Sequence, residues 1–372
     1  MTCISCTAAA QHVANIGIDS EKLGQHRKII VYTPEGYDEY PNTYYDVIYV
    51  FDAQTREFVD LTSAMYQFTC ANLNNPKQCI VVGIVSEYFE ETDYARNNDM
   101  LPMPQHEVPD NYFWGYYGNA DNFTAYVRDE VIPYIEGNYR TRPERLAVGH
   151  SLSASLVLYA WLENPGLFDA MICVSPNLAY DSEYLTDKLL SADFSTLSDP
   201  TFLFVSRAEE GKTYWQEWAP AFDRAFAYLD SLPKDSPLTA YTAQYPDEEH
   251  YYSFTKALPD GLAEYRKWRM SNPLPLSSET YRITIRLTTD TSEDVYIAGN
   301  QPALGDWQPD LIKMERLSDS LRTFTANVHA PCEIIFTLGS LDTQGYVAKD
   351  FGLEPLYLDI SERSVFDFEI ME

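Results

Sequence analysis

The residues best suited to chemistry begin with Gly149-His150-Ser151-Leu152-Ser153, set between the apolar run RLAV (145–148) and SLVLYAWLEN (155–164), a segment of good helix propensity. Strand, tight turn, serine and helix is the setting in which a G-x-S-x-G pattern acquires a mechanism. Small flanking residues let the turn close and leave the Ser151 hydroxyl projecting above a sheet. The Leu152 N–H, at the helix N-terminus, then faces any negative charge that develops on a carbonyl oxygen under attack. Ser153 occupies the fifth position, where the pattern has glycine. It is small enough for the turn to close, with tighter packing. The competing reading is a capped helix start with an inert serine.

A serine hydroxyl needs a base, and the chain has six histidines. His12 and His26 precede the first core strand, His106 lies in a proline-rich loop, His150 is inside the turn itself, and His329 lies late in the chain. His250 remains. It sits in YPDEEHYYSF (245–254), after a candidate strand, LTAYTAQY (238–245), and before a final helix. An acid is then required between serine and histidine to fix the imidazole tautomer and stabilise its charged form. Arg207-Ala208-Glu209-Glu210-Gly211 follows the strand TFLFVS (201–206) and offers two carboxylates. We choose Glu210, with Glu209 as its substitute. Asp247, Glu248 and Glu249 are too near His250 along the chain to reach its far nitrogen. The bland alternatives are a solvated histidine and solvated carboxylates.

These groups need a scaffold, and the apolar runs supply one. DVIYVFDA (46–53), QCIVVGIV (78–85), RLAVGH (145–150), DAMICVSP (169–176) and TFLFVS recur between helix-length segments, among them 121–137, 214–232 and 253–269. Short continuous apolar runs alternating with helices imply parallel strands buried on both faces, hence an α/β fold. SNPLPLSSET (271–280) reads as a linker. Beyond it, YRITIRLTT (281–289), EDVYIAGN (293–300), RTFTANVHA (322–330) and EIIFTLGS (333–340) alternate polar and apolar residues at short spacing, the pattern of an all-β sandwich over 281–372. The α/β domain then spans 11–270. Residues 1–10, MTCISCTAAA, read either as the tail of a secretory signal or as a frayed terminus. The first reading makes the protein extracytoplasmic, periplasmic or secreted; the second leaves it cytoplasmic.

Composition narrows the partners. The chain has 372 residues, 45% hydrophobic, and carries 26 Lys and Arg against 56 Asp and Glu, a net −30. Of this, −9 falls from residue 281 onward and −21 before it, so the acidity is no tail. Phosphate backbones and anionic membrane surfaces are repelled, so neither nucleic acid nor membrane is expected as a partner. No stretch approaches the roughly 18 apolar residues of a membrane span. Among six cysteines, Cys3 and Cys6 form one C-x-x-C with no second such motif to pair with it, and the histidines do not cluster, so no metal is expected. No cofactor is expected either. Cys70 and Cys79 flank a turn-rich segment and are read as a loop-closing disulfide or, more simply, as two buried thiols.

Taken together, these residues resemble the esterase branch of the α/β-hydrolases, which includes siderophore trilactone esterases, S-formylglutathione-hydrolase-like enzymes and feruloyl or acetyl esterases. VIYVFDAQ is similar to that family's strand ending in Asp-Gly-Gln and ARNNDMLPM to its R-x-x-D-x-x-P loop. EVIPYIEGNYRTRPERLAVGHSLSA is similar to its helix-to-elbow segment and LFVSRAEEG to its acid-bearing strand. The resemblance covers about residues 25 to 270 and implies an α/β-hydrolase fold. It makes Ser151 the nucleophile, His250 the base, Glu210 the acid, and the backbone at Gln54 a second oxyanion donor with Leu152. Ala53 stands where the family has glycine. Arg96 and Asp99 are read by the same resemblance as a buried ion pair.

In the second region, VYIAGNQPALGDWQPD followed by EIIFTLGSLDTQG resembles starch- and glycogen-binding modules. Trp307 on a turn offers a flat face for a sugar ring. Ile335 and Leu341 stand where such modules carry lysine and tryptophan, so half of the usual platform is missing. Two functions follow as expectations. One is a serine esterase working through an acyl-enzyme on a small or polysaccharide-linked ester, with aromatic NYFWGYYGN (111–119) hinting at a bulky aromatic or sugar-bearing substrate. The other is an inactive hydrolase scaffold acting as a glycan-binding protein.

Overall fold

The computed structural model describes residues 12–38, 40–72, 78–210, 215–344 and 355–369. The leader reading of residues 1–10 and the Cys70 side chain lie outside the described structure. An eight-stranded sheet dominates, formed by β1 (His12–Ser20), β2 (Gln25–Thr33), β3 (Tyr45–Phe51), β4 (Cys79–Ile84), β5 (Thr141–His150), β6 (Ala170–Val174), β7 (Thr201–Arg207) and β8 (Leu238–Gln244) in the spatial order β1-β2-β4-β3-β5-β6-β7-β8. From β4 to β8 every neighbour is parallel. β1 and β2 add an antiparallel edge that the apolar runs do not announce. β1 lies at the edge and alternates exposed with partly buried positions, so it has no continuous apolar run to read.

The helices are α1 (Glu57–Asn72), α2 (Arg96–Met100), α3 (Ala120–Tyr126), α4 (Ile132–Asn138), α5 (Leu152–Glu163), α6 (Tyr180–Ser191), α7 (Ala219–Asp230) and α8 (Ser253–Ser271). They cover both faces of the sheet. Val47, Tyr49 and Phe51 of β3 pack with residues of α3 to α7, while Ile48 and Val50 pack with α1 and α8, as the period of two in a strand dictates. A π-helical turn, Val127–Val131, joins α3 to α4, so the helix expected over 121–137 is one continuous rod. The helix expected over 214–232 starts later. Pro220 belongs in a first turn, where its missing N–H costs nothing, and α7 begins at Ala219 behind a 3-10 turn.

Residues 272–280 carry neither helix nor strand. Beyond them two four-stranded sheets face each other. One runs β11 (Ile312–Lys313), β10 (Tyr296–Gly299), β14 (Cys332–Thr337), β15 (Leu356–Leu358). The other runs β12 (Glu315–Arg316), β13 (Leu321–Val328), β9 (Tyr281–Thr288), β16 (Val365–Glu369). Ile283, Ile285 and Leu287 of β9 close a separate core with Ile297, Ile334 and Phe336. This sandwich touches the first domain at the N-terminal ends of β3 and β5. There Arg142 reaches Glu333 at 3.0 Å, and the rings of Tyr44 and Tyr357 meet at 5.4 Å.

Candidate active site

Ser151 stands between the last residue of β5 and the first of α5, at φ 58 and ψ −124. A side-chain-bearing residue in that region is strained, and such strain persists only where the surroundings over-determine it. The determinants are local. A Cβ at Gly149 would come within 2.6 Å of the backbone of Ser153 and Ala154, so only glycine lets strand and helix approach this closely. Ser153 is fully buried, accepts a hydrogen bond from His150 N–H at 3.0 Å and donates to His150 O at 2.8 Å. The serine in place of glycine therefore pins the turn through its hydroxyl rather than merely crowding it.

His250 follows β8 and Glu210 follows β7, which brings both to the same end of the sheet as Ser151. His250 Nδ1 donates to Glu210 Oε1, and both side chains are buried. The other Glu210 oxygen accepts from Ala208 N–H. Burial pushes the Glu210 carboxyl up, but the hydrogen bond and charge of His250, with backbone N–H groups, outweigh it and hold the group below the ordinary carboxylate value. With Nδ1 carrying the proton, Nε2 of neutral His250 is the free acceptor. Glu209 uses its backbone N–H toward Glu248 O and is only half-buried. Trp215 and Trp218 meet the His250 ring edge-on at 4.8 and 5.9 Å. Among the described residues, the Ser151 hydroxyl makes no hydrogen bond to His250.

Ser151 opens into a pocket of about 490 Å³ with Phe58, Leu61, Tyr251 and Phe254 in its lining and Asp52, Gln54, Glu57, Arg96, His150 and Thr255 among its polar residues. Asp52, just past β3, has φ 67 and takes two hydrogen bonds of 2.5 Å from Arg96. Burial raises its carboxyl, and the Arg96 guanidinium more than reverses this, so it is held below the usual range. The Gln54 side chain bridges Asp52, at 3.0 Å, and Ser86 N–H, at 3.1 Å. That clamps the short helical turn Ala53–Thr55, with Ala53 fully buried. The N–H groups of Gln54 and Leu152 both belong to first turns, which have no partner along their own helix.

Several expectations change. Arg96 and Asp99 do not pair with each other. They sit in α2 with their side chains going separate ways: Arg96 to Asp52, and Asp99 to Arg27 and Tyr94. The aromatic segment 111–119 does not line the pocket. Tyr112 and Phe113 pack on Tyr180, while Trp114 is 80% exposed. Trp307 lies at the far end of the sheet, beside the domain boundary. The sequence reading also passed over His150. Its ring stacks on Phe58 and lies 4.6 Å from the His250 ring, with burial and the neighbouring imidazole lowering it to about 4. Its position beside the serine was the available signal.

Among the described residues no group of three or more His, Cys, Asp and Glu side chains is placed to hold a metal, and no helix is long and apolar enough to cross a membrane.

Comparison with known proteins agrees with this architecture. The starch-binding-domain model matches residues 267–347. Ferri-bacillibactin esterase BesA of Bacillus subtilis (strain 168) is 29% identical over 154 residues, which is 40% of this chain and 53% of that relative, so the match spans about half of the relative's length. Among solved structures, an IroE-like serine hydrolase from Shewanella oneidensis superposes with a TM-score of 0.58 at 24% identity, covering 69% of this chain and 80% of the other. Siderophore hydrolase EstA from Aspergillus nidulans gives 0.57 at 19% identity, covering 70% and 96%. At such identities the structures show a shared α/β-hydrolase fold. The family model described as "Putative esterase" matches residues 20–233, more than half of the chain, and the chain belongs to that family.

Proposed function

We propose that this protein hydrolyses carboxylic esters through an acyl-enzyme, with Ser151 as nucleophile, His250 as base and Glu210 as the acid that orients it. The observation that carries this reading is the buried Glu210–His250 hydrogen bond, formed at the end of the sheet where Ser151 is held in a strained turn. Neutral His250 takes the hydroxyl proton at Nε2 as Ser151 Oγ adds to the ester carbonyl, and returns it to the departing alcohol. Water then attacks the acyl-serine by the same route in reverse. The Leu152 and Gln54 N–H groups receive the oxyanion. Contacts between nucleophile and base commonly tighten only in the substrate complex, so the open Ser151 hydroxyl is compatible with this role. The apolar lining of the pocket suits an ester with an apolar acyl or alcohol part. The sandwich contributes glycan binding through Trp307, which suits an ester carried on, or lying near, a polysaccharide.

Turnover of nitrophenyl esters of graded acyl length tests the reading. Ser151→Ala is expected to lower kcat by at least about 10⁴-fold and to abolish labelling by a fluorophosphonate. Equal labelling of the variant overturns it. A wild-type chain that binds soluble starch but turns over no ester would select the inactive glycan-binding scaffold instead.

A further inference from the structure

Trp307 faces the other domain. It lines a cleft of about 470 Å³ whose opposite wall is made by Tyr66 of α1 and by Arg266, Arg269 and Met270 in the last turns of α8. That volume lies within the roughly 300–1,000 Å³ of small-ligand clefts. The backbone presenting the indole is unusual: Gly305, Asp306 and Trp307 follow one another at φ 81, 47 and 62, with Trp307 N–H held by Gly299 O at 2.8 Å. Left-handed backbone at a bulky aromatic residue is strained and is kept where the position of that side chain matters.

The charges of the lining balance. Arg266 and Arg269 are matched by Asp46 and Glu333, with Arg269 held by Glu144 at 2.6 Å, Glu333 held by Arg142 at 3.0 Å, and Arg266 reaching Thr69 O at 3.5 Å. Such a lining has little net pull on an ion. Flat rings beside hydrogen-bonding edges suit a neutral polyhydroxyl ring instead. The sandwich alone offers only half of such a site, because Ile335 is buried in β14 and Leu341 is exposed, and neither lines the cleft.

We propose that the cleft is a carbohydrate-docking site built by both domains, in which a short neutral glucan stacks one hexose on Trp307 while Tyr66, Arg266 and Met270 replace the wall that the sandwich lacks. This rests on the carbohydrate-binding reading of the sandwich. The site is separate from the ester pocket: Asp46 lines the cleft and Asp52 lines the pocket of Ser151, six residues apart along β3, or about 20 Å. A docked glucan is therefore anchored behind the sheet and does not occupy the pocket of Ser151.

Titration calorimetry of the full-length chain with maltotriose and maltoheptaose tests the proposal, with thermal unfolding as the check on folding. Trp307→Ala is expected to weaken binding at least about tenfold, the loss of one stacked ring. Met270→Arg, at a position 78% exposed and so tolerant of change, is expected to weaken it similarly by filling the cleft from the hydrolase side. Arg266→Ala, removing a hydrogen-bonding edge, should also weaken it. Wild-type affinity in both hydrolase-side variants, with loss in Trp307→Ala, overturns the two-domain site and leaves the sandwich binding sugar alone. Absence of binding by the wild-type chain overturns the carbohydrate reading and this proposal with it.

Discussion

His150 Nε2 lies 2.9 Å from the backbone carbonyl oxygen of His250. A carbonyl only accepts, so Nε2 of His150 carries the proton and the residue ahead of Ser151 holds the chain at His250. Ser253 Oγ donates to the same carbonyl at 2.6 Å. His150→Leu removes the first of these bonds and frees the loop that carries His250. We expect kcat to fall about 10- to 100-fold with KM little changed, because small misplacement of a reacting group is enough for such a loss. His150→Gln, whose amide can donate to the same carbonyl, should restore most of it. Steady-state kinetics on one nitrophenyl ester checks both; equal losses in the two variants would show that packing, not the hydrogen bond, is what matters.

The same imidazole makes the fold acid-sensitive. In the unfolded chain His150 titrates near 6.5, whereas burial lowers it to about 4 in the native state. Between these values the unfolded chain binds a proton that the native protein does not, so stability rises with pH across this window and is lost as pH falls through it. The loss approaches about 3 kcal/mol at pH 4. His150→Gln cannot titrate. Its urea midpoint is expected to change less than that of the wild type between pH 7 and pH 4.5, and a parallel decline in both proteins would refute the assignment.

Glu210 and Glu209 make opposite predictions. Glu210→Gln loses the carboxylate that fixes the tautomer of His250, and kcat should drop about 10²- to 10⁴-fold. Glu209→Gln, whose carboxylate bonds to no side chain near His250 among the described residues, should behave almost as the wild type. A large loss at Glu209 with tolerance at Glu210 would exchange their roles.

How much of this was legible beforehand depends on what holds each residue. Ser151 and its turn announce themselves locally, because apolar β5, Gly149 and a strong helix former are contiguous in sequence. The choice between Glu209 and Glu210 could not be made on the same basis. It depends on which of two adjacent side chains points back toward a residue some forty positions later, and that is a tertiary fact. Asp52 illustrates the same limit. It sits at the end of β3 in plain view, yet its ion partner, Arg96, is 44 residues away, and the family resemblance pairs that arginine with Asp99 instead. The cleft beside Trp307 is not legible in the sequence, since half its wall comes from α1 and α8 of the other domain.

The pair that Asp99 does form bears on the site from behind. Arg27 donates to Asp99 with both side chains almost fully buried, and its guanidinium lies 5.2 and 5.3 Å from the Phe89 and Phe123 rings. Burial raises the Asp99 carboxyl against the pull of Arg27. Asp99→Asn removes the counter-charge and leaves a buried guanidinium on the neutral acceptors Gln25 Oε1, at 2.8 Å, and Val85 O, at 3.3 Å, which should cost about 3–5 kcal/mol by urea denaturation at pH 7. Combining Arg27→Met with Asp99→Leu removes both charges, and much of that loss should return. Since α2 also carries Arg96, the single variant should loosen the hold on Asp52 and lower kcat as well, whereas the double variant should recover stability before activity. A double variant no more stable than Asp99→Asn would mean that packing around α2, rather than the unpaired charge, sets the cost.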